Sequence, residues 1–136
     1  MAHGVKILRE AGADIITQGT IPETGRYSFE NTLLRISGAG FLKQPDLLQT
    51  EVFGTCSLIV CAETAGQLLR ITECLEGNLT GSIYSDTRGG DDHLYSKIEP
   101  VVRSKVGRLL NDKMPTGVAV VPSMNHGGPY PATGPP

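Results

Sequence analysis

Apolar positions recur at helical spacing from the start of the chain. Val5, Leu8 and Ala11 fall at i, i+3 and i+6, and Gly12 can close the end, so residues 4–12 read as a helix. Residues 13–17 form a short apolar run and read as a strand, followed by a turn-rich stretch at 19–25 with Pro22 and two glycines. Leu33, Leu34 and Ile36 mark a second strand over 31–37. The Ser37-Gly38-Ala39-Gly40 run reads as a turn, and Pro45 opens a short helical turn over 45–49, because proline suits a first helical position.

Residues 56–62 (Cys-Ser-Leu-Ile-Val-Cys-Ala) are apolar on both faces of an extended chain. Such a run predicts a strand buried on both faces, as in a parallel sheet covered by helices. Residues 64–76 form the clearest helix. Thr64 and Gln67 make a capping box, Ala65, Leu68, Leu69 and Leu75 supply an apolar stripe, and Gly77 stops it. A strand over 79–84 and a polar loop over 87–92 follow. Leu94, Ile98, Val101, Val102 and Val106 then predict a helix over 92–107, which Pro100 should kink or divide. Residues 108–111 and 118–121 read as strands either side of Pro115-Thr116-Gly117. The order strand, helix, strand, helix, strand from 56 to 111 predicts two βαβ crossovers. The fold class is therefore α/β, mostly parallel sheet with flanking helices. From residue 127 on, three Gly and four Pro in ten residues exclude regular structure and predict an extended tail. The expected organisation is one domain over 1–126 with a tail over 127–136.

Composition narrows the function classes. The 136 residues carry a net charge of −2 and no basic run able to neutralise a series of phosphates, so nucleic-acid binding is not expected. No apolar run approaches a membrane span, and Lys6, Arg9 and Glu10 break any leader-like stretch, so a cytoplasmic protein without a membrane association is expected. Cys56, Cys61 and Cys74 are odd in number and lack metal-ligand spacing, which predicts reduced thiols and no metal site. Cys56 and Cys61 fall on opposite faces of one strand. Asp91-Asp92-His93 are adjacent on a helix and point apart, so they read as negative charge at a helix N-terminus rather than as ligands. Gly38-Ala39-Gly40 lacks the third glycine of a dinucleotide fingerprint, since position 43 is Lys.

Two segments carry more specific information. Thr50-Glu51-Val52-Phe53-Gly54 resembles the E-x-F-G-P signature of NAD(P)-dependent aldehyde dehydrogenases, with Thr55 where the family usually has Pro. Met124-Asn125-His126-Gly127-Gly128-Pro129-Tyr130-Pro131-Ala132-Thr133 resembles the H-G-G-P-[YF]-P-A-T ending of one branch. That branch holds the NADP-dependent fatty aldehyde and α-ketoglutaric semialdehyde (2,5-dioxovalerate) dehydrogenases. Asn111 with Met114-Pro115-Thr116-Gly117-Val118 resembles a segment of the same branch, N-x-x-M-P-T-G-V as it stands here.

The resemblance implies the C-terminal portion of a catalytic domain that oxidises an aldehyde to a carboxylate with NAD(P)+. By the same resemblance, Glu51 would accept hydrogen bonds from the nicotinamide ribose hydroxyls and Phe53 would pack near the nicotinamide ring. Met124, Asn125 and His126 would lie toward the aldehyde pocket, where a protonated His126 could bind a substrate carboxylate. The bland alternatives are a solvated turn carboxylate at Glu51, a core anchor at Phe53, and a His126 packed on the Gly-Gly-Pro turn. No cysteine sits in the family's G-Q-x-C nucleophile context, so no catalytic residue is assigned. The chain alone is expected to be inactive and to bind no cofactor, and to associate with itself or with the rest of an aldehyde dehydrogenase. The rival expectation is a truncated, non-catalytic interaction module.

Overall fold

The structure is a computed structural model and describes residues 1–18, 31–114 and 127–132. The chain divides into two compact units, Met1–Ile71 and Thr72–Pro136.

The first unit is built on a sheet of order β1-β2-β3, with β1 (Asp14–Gln18), β2 (Thr32–Ser37) and β3 (Cys56–Cys61). The central strand β2 pairs antiparallel with β1 and parallel with β3, Leu34 standing opposite Leu58. Its period-two pattern sorts the side chains: Thr32, Leu34 and Ile36 are buried, while Arg35 and Ser37 are exposed. Leu34, with no exposed surface, is the centre of the core. Helix α1 (Ala2–Glu10) buries Val5 and Leu8, as the spacing predicts, and ends where Gly12 takes φ +99°. β1 carries a bulge between Ile15 and Thr17 that leaves Ile16 52% exposed.

Three expectations change in this unit. Residues 37–40 are not a turn: Gly38–Phe41 form a short helix, α2, started by the Ser37 hydroxyl, which accepts a hydrogen bond from the Gly40 N–H at 3.1 Å. A second short helix, α3 (Pro45–Leu48), follows with Pro45 in its first turn. β3 is not buried on both faces, since Ser57 is exposed and Ile59 is 41% exposed. β3 is an end strand among those described, and its apolar run alternates in burial instead of being covered twice. Helix α4 (Ala65–Glu73) has the predicted cap: Thr64 Oγ1 accepts from the Gln67 N–H at 3.1 Å, and Gln67 Oε1 accepts from the Glu63 N–H at 2.8 Å. Its most buried apolar residue is Ile71, whereas Ala65 of the expected stripe is exposed.

The second unit is a βαβ crossover. β4 (Asn78–Ile83) and β5 (Val106–Asn111) pair in parallel, from Asn78 opposite Val106 to Ile83 opposite Asn111, and α5 (Asp92–Lys105) connects them. β3 and β4 lie in different sheets, so only one of the two expected crossovers joins strands of one sheet. Pro100 does not divide α5. Both Pro100 and Ser96, whose carbonyl loses its helical donor, are exposed, so solvent can take the freed acceptor. Glu99 and Arg103 pair one turn apart on the same helix. The loop before α5 is closed by Asp86, whose carboxylate accepts from the N–H groups of Arg88 and Gly90, while Asp91 Oδ1 accepts from the Asp86 N–H at 2.9 Å. Asp92 supplies the negative charge in the first turn of α5.

Residues 127–132 contain no helix or strand, in keeping with their composition, and Ala132 N–H donates to Pro129 O at 2.9 Å, closing a turn with a cis Tyr130–Pro131 bond. The expected strand at 118–121 lies outside the described residues. No helix among the described residues is long and apolar enough to cross a membrane.

The packing predicts that Leu34→Ala costs about 3 kcal/mol, the usual scale for emptying a fully buried leucine site. Thr64→Ala, which removes one cap, is expected to cost about 1 kcal/mol. Urea unfolding followed by circular dichroism measures both. A smaller loss for Leu34 than for Thr64 would contradict a core centred on β2.

Candidate active site

The segment from Thr50 to Thr55 runs from the end of α3 to the start of β3. The Thr50 N–H still bonds the Leu47 carbonyl at 3.3 Å, and at the other end the Thr55 carbonyl accepts from the Thr32 N–H of β2 at 2.8 Å. Between these fixed ends the chain is held from behind by α1. A Cβ on Gly4 would come within 2.7 Å of Val52 Cγ2, so the helix touches Val52 where it has no side chain of its own. The Met1 thioether lies against Gly54, which takes φ +135°. A side chain at residue 54 would be strained by that backbone and would collide with Met1.

With Val52 half-buried, its two neighbours are left outward. Glu51 is exposed and Phe53 is 80% exposed. Phe53 is thus not a core residue of the described structure. Among the described residues the Glu51 carboxylate makes no hydrogen bond or ion pair. Both of its oxygens are open to hydroxyl donors, and the Phe53 ring offers a bare apolar face two residues on. This pair fits the ribose and ring of a nicotinamide nucleotide in chemical type. Sequence reasoning singled out Glu51 and Phe53 but not the contacts of Met1 and Gly4 with this loop; a glycine inside an amphipathic helix was the available signal. Met124, Asn125 and His126 lie outside the described residues.

The three thiols are apart in character. Burial pushes the Cys56 thiol up from its ordinary range. Cys61 Sγ accepts a hydrogen bond from Arg35 Nε at 3.2 Å, and Cys74 is exposed. A thiol whose ionisation is disfavoured is a poor nucleophile, so Cys56 does not suit attack on an aldehyde. The described residues contain no group of three or more metal-ligating side chains.

No protein-family model matches the chain. Among curated proteins, it is 38% identical over 126 residues to α-ketoglutaric semialdehyde dehydrogenase 2 of Azospirillum brasilense, covering 93% of this chain and 22% of that protein. It is 34% identical over 127 residues to the α-ketoglutaric semialdehyde dehydrogenase of Acinetobacter baylyi, covering 93% of this chain and 24% of that one. The chain belongs with the aldehyde dehydrogenases. In fold it is similar to a NAD-bound Δ-pyrroline-5-carboxylate dehydrogenase of Mycobacterium tuberculosis, with a TM-score of 0.60 at 22% identity, over 100% of this chain and 24% of that chain. It thus matches part of an aldehyde dehydrogenase, spanning about a quarter of the length of these relatives.

Timed alkylation with iodoacetamide, read by mass spectrometry, tests the thiol assignments. At neutral pH Cys74 is expected to label well before Cys56. Cys56 labelling should rise at a higher pH than that of an ordinary thiol, since its raised pKa keeps less thiolate present at any given pH. Equal rates at neutral pH in the folded chain would contradict this.

Proposed function

We propose that this chain is the C-terminal portion of a catalytic domain that oxidises an aldehyde to a carboxylate with NADP+ or NAD+, and that Glu51 and Phe53 complete its cofactor site. The observation that carries the reading is the Glu51 carboxylate, unpaired among the described residues, two positions from the exposed Phe53 ring, on a loop braced at Val52 by α1 and at Gly54 by Met1. When bound, the nicotinamide would accept the hydride leaving the aldehyde carbon. Glu51 would take the two ribose hydroxyls as hydrogen-bond donors, fixing the sugar. Phe53 would cover the ring beside it and exclude water. Residues 1–126 form the partial domain in this reading and 127–136 its tail, with Met124, Asn125 and His126 facing the aldehyde. The similarity to two α-ketoglutaric semialdehyde dehydrogenases favours 2,5-dioxovalerate over a fatty aldehyde as the substrate. No thiol of this chain is assigned as nucleophile, so the chain is inactive and binds no cofactor unless the rest of a dehydrogenase is supplied.

Co-expression with the Azospirillum brasilense enzyme lacking its matching segment tests the proposal. Aldehyde-dependent NAD(P)H formation is expected only with both parts present. Glu51→Ala should lower it by about tenfold to a hundredfold, the scale of losing hydrogen bonds to a charged group. Activity of the 136-residue chain by itself, or a restored rate indifferent to Glu51→Ala, would overturn it.

The exposed face of β3, with Ile59, favours a second reading: a non-catalytic module that assembles with itself or with a full-length dehydrogenase. Light scattering giving a monomer, together with no association to the full-length relative, excludes that reading.

A further inference from the structure

Helix α1 meets the loop before β3 at a position that carries no side chain. Gly4 stands in the first turn of α1, where a Cβ would come within 2.7 Å of Val52 Cγ2, 3.2 Å of Cγ1 and 3.3 Å of Cβ. Both methyls of Val52 thus face Gly4. Two of the three staggered positions about its χ1 point that way, so any rotation leaves at least one methyl there. Turning Val52 does not make room for a side chain at residue 4, and main chain has to move. Which main chain yields follows from what holds each. Helix α1 is anchored by the buried Val5 and Leu8, and buried Ala11 and Ala13 follow it toward β1. The loop is tied at its ends, by the Thr50 N–H to Leu47 O at 3.3 Å and the Thr32 N–H to Thr55 O at 2.8 Å. Between those ties Glu51, Phe53 and Gly54 are exposed. Displacement therefore falls on residues 51–54 and carries Glu51 and Phe53 along with Val52.

We propose that Gly4 is a positioning residue for the nicotinamide nucleotide: the missing side chain lets Val52 seat on α1, and that seat sets where the Glu51 carboxylate and the Phe53 ring stand. The part concerning the nucleotide rests on the reading of Glu51 and Phe53 given under Proposed function. The seat itself rests on packing within one unit, Met1–Ile71. Gly4 touches neither substrate nor cofactor in this scheme and acts through Val52. Filling the seat should therefore weaken use of the nucleotide and spare the aldehyde. Alanine is also the better helix former, so the substitution strengthens α1 instead of unravelling it.

Two measurements on Gly4→Ala test this, with Gly66→Ala as control, since a Cβ at residue 66 meets nothing within 4 Å. The first is nuclear magnetic resonance of the 136-residue chain. The amide signals of residues 51–54 are expected to shift, while the methyl signals of Leu34 and Ile36 hold. Val52→Ala removes both methyls, so adding Gly4→Ala to it should move the signals of residues 53 and 54 far less than adding it beside Val52. No shift at 51–54, an equal shift in both backgrounds, or a general loss of folded signals that Val52→Ala does not relieve overturns the proposal. The second is the kinetics of the co-expressed enzyme. The KM for NAD(P)+ is expected to rise by about tenfold, with the KM for aldehyde within about twofold of the unsubstituted value. In the Val52→Ala background the same substitution should change the KM for NAD(P)+ by less than about twofold. Equal rises in both KM values, or an unaltered KM for NAD(P)+ despite a shifted loop, overturn the action on the nucleotide. If the unsubstituted pair forms no NAD(P)H, the functional reading fails by itself, and the resonance comparison still decides whether Gly4 seats the loop.

Discussion

Parallel strands cannot be joined by a hairpin, and that constraint organises both units. From the end of β2 the chain must travel back the full length of the strand before β3 can begin beside Thr32. Residues 38–55 are that return path. They use two helices of a single turn and then an extended segment, which delivers Glu51, Val52 and Phe53 to the entrance of β3. The segment is a connection with both ends fixed: at one end the Thr55 carbonyl is tied to β2, and at the other Thr50 is tied to α3. A loop so tethered, and backed by the first turn of α1, can hold two side chains in solvent without depending on their burial to fix them.

How much of this was legible in the sequence depends on the range of the forces involved. Helix α1, strand β2 and the Thr64–Gln67 cap are governed by spacing or by groups a few residues apart, and each is found where the pattern places it. The Glu51-Val52-Phe53-Gly54 motif was legible as a resemblance, while its exposure was not, because burial is decided by what packs behind Val52. The misreadings share a cause. Ser37-Gly38-Ala39-Gly40 has turn composition, but a serine hydroxyl placed to cap three residues on converts it into a helix start. The run from Cys56 to Cys61 reads as doubly buried because periodicity records only that both faces are apolar, not whether a layer covers each. Of the two outcomes expected at Pro100, a kink or a division, division does not occur, because the exposed side of α5 lets water take the freed carbonyl.

Charge plays a minor part in holding the described structure together. Its ion pairs are on exposed or partly exposed side chains, such as Lys6 with Glu10 and Arg88 with Asp86, where solvent screens them. The carboxylates with a structural role act instead on backbone N–H groups. Asp86 and Asp91 close the loop before α5 in this way, and Asp112 Oδ1 accepts from the Ser85 N–H at 2.9 Å across the ends of β5 and β4. Glu51 stands apart from these because, among the described residues, its carboxylate makes no hydrogen bond or ion pair.

Helix α5 runs into β5 without a connecting loop: Lys105 is the last helical residue and Val106, already extended at φ −131° and ψ 147°, is the first of the strand. A connection of this kind has no slack. Sliding or rotation of α5 along its axis can be absorbed only in the dihedrals of Lys105 and Val106, and whatever they do not absorb reaches Gly107 one residue later. Gly107 in turn lies against the main chain of Gly127 and Gly128, where a Cβ would overlap the Gly127 carbonyl oxygen, so a displacement of α5 would bear on that segment as a lever does on its load.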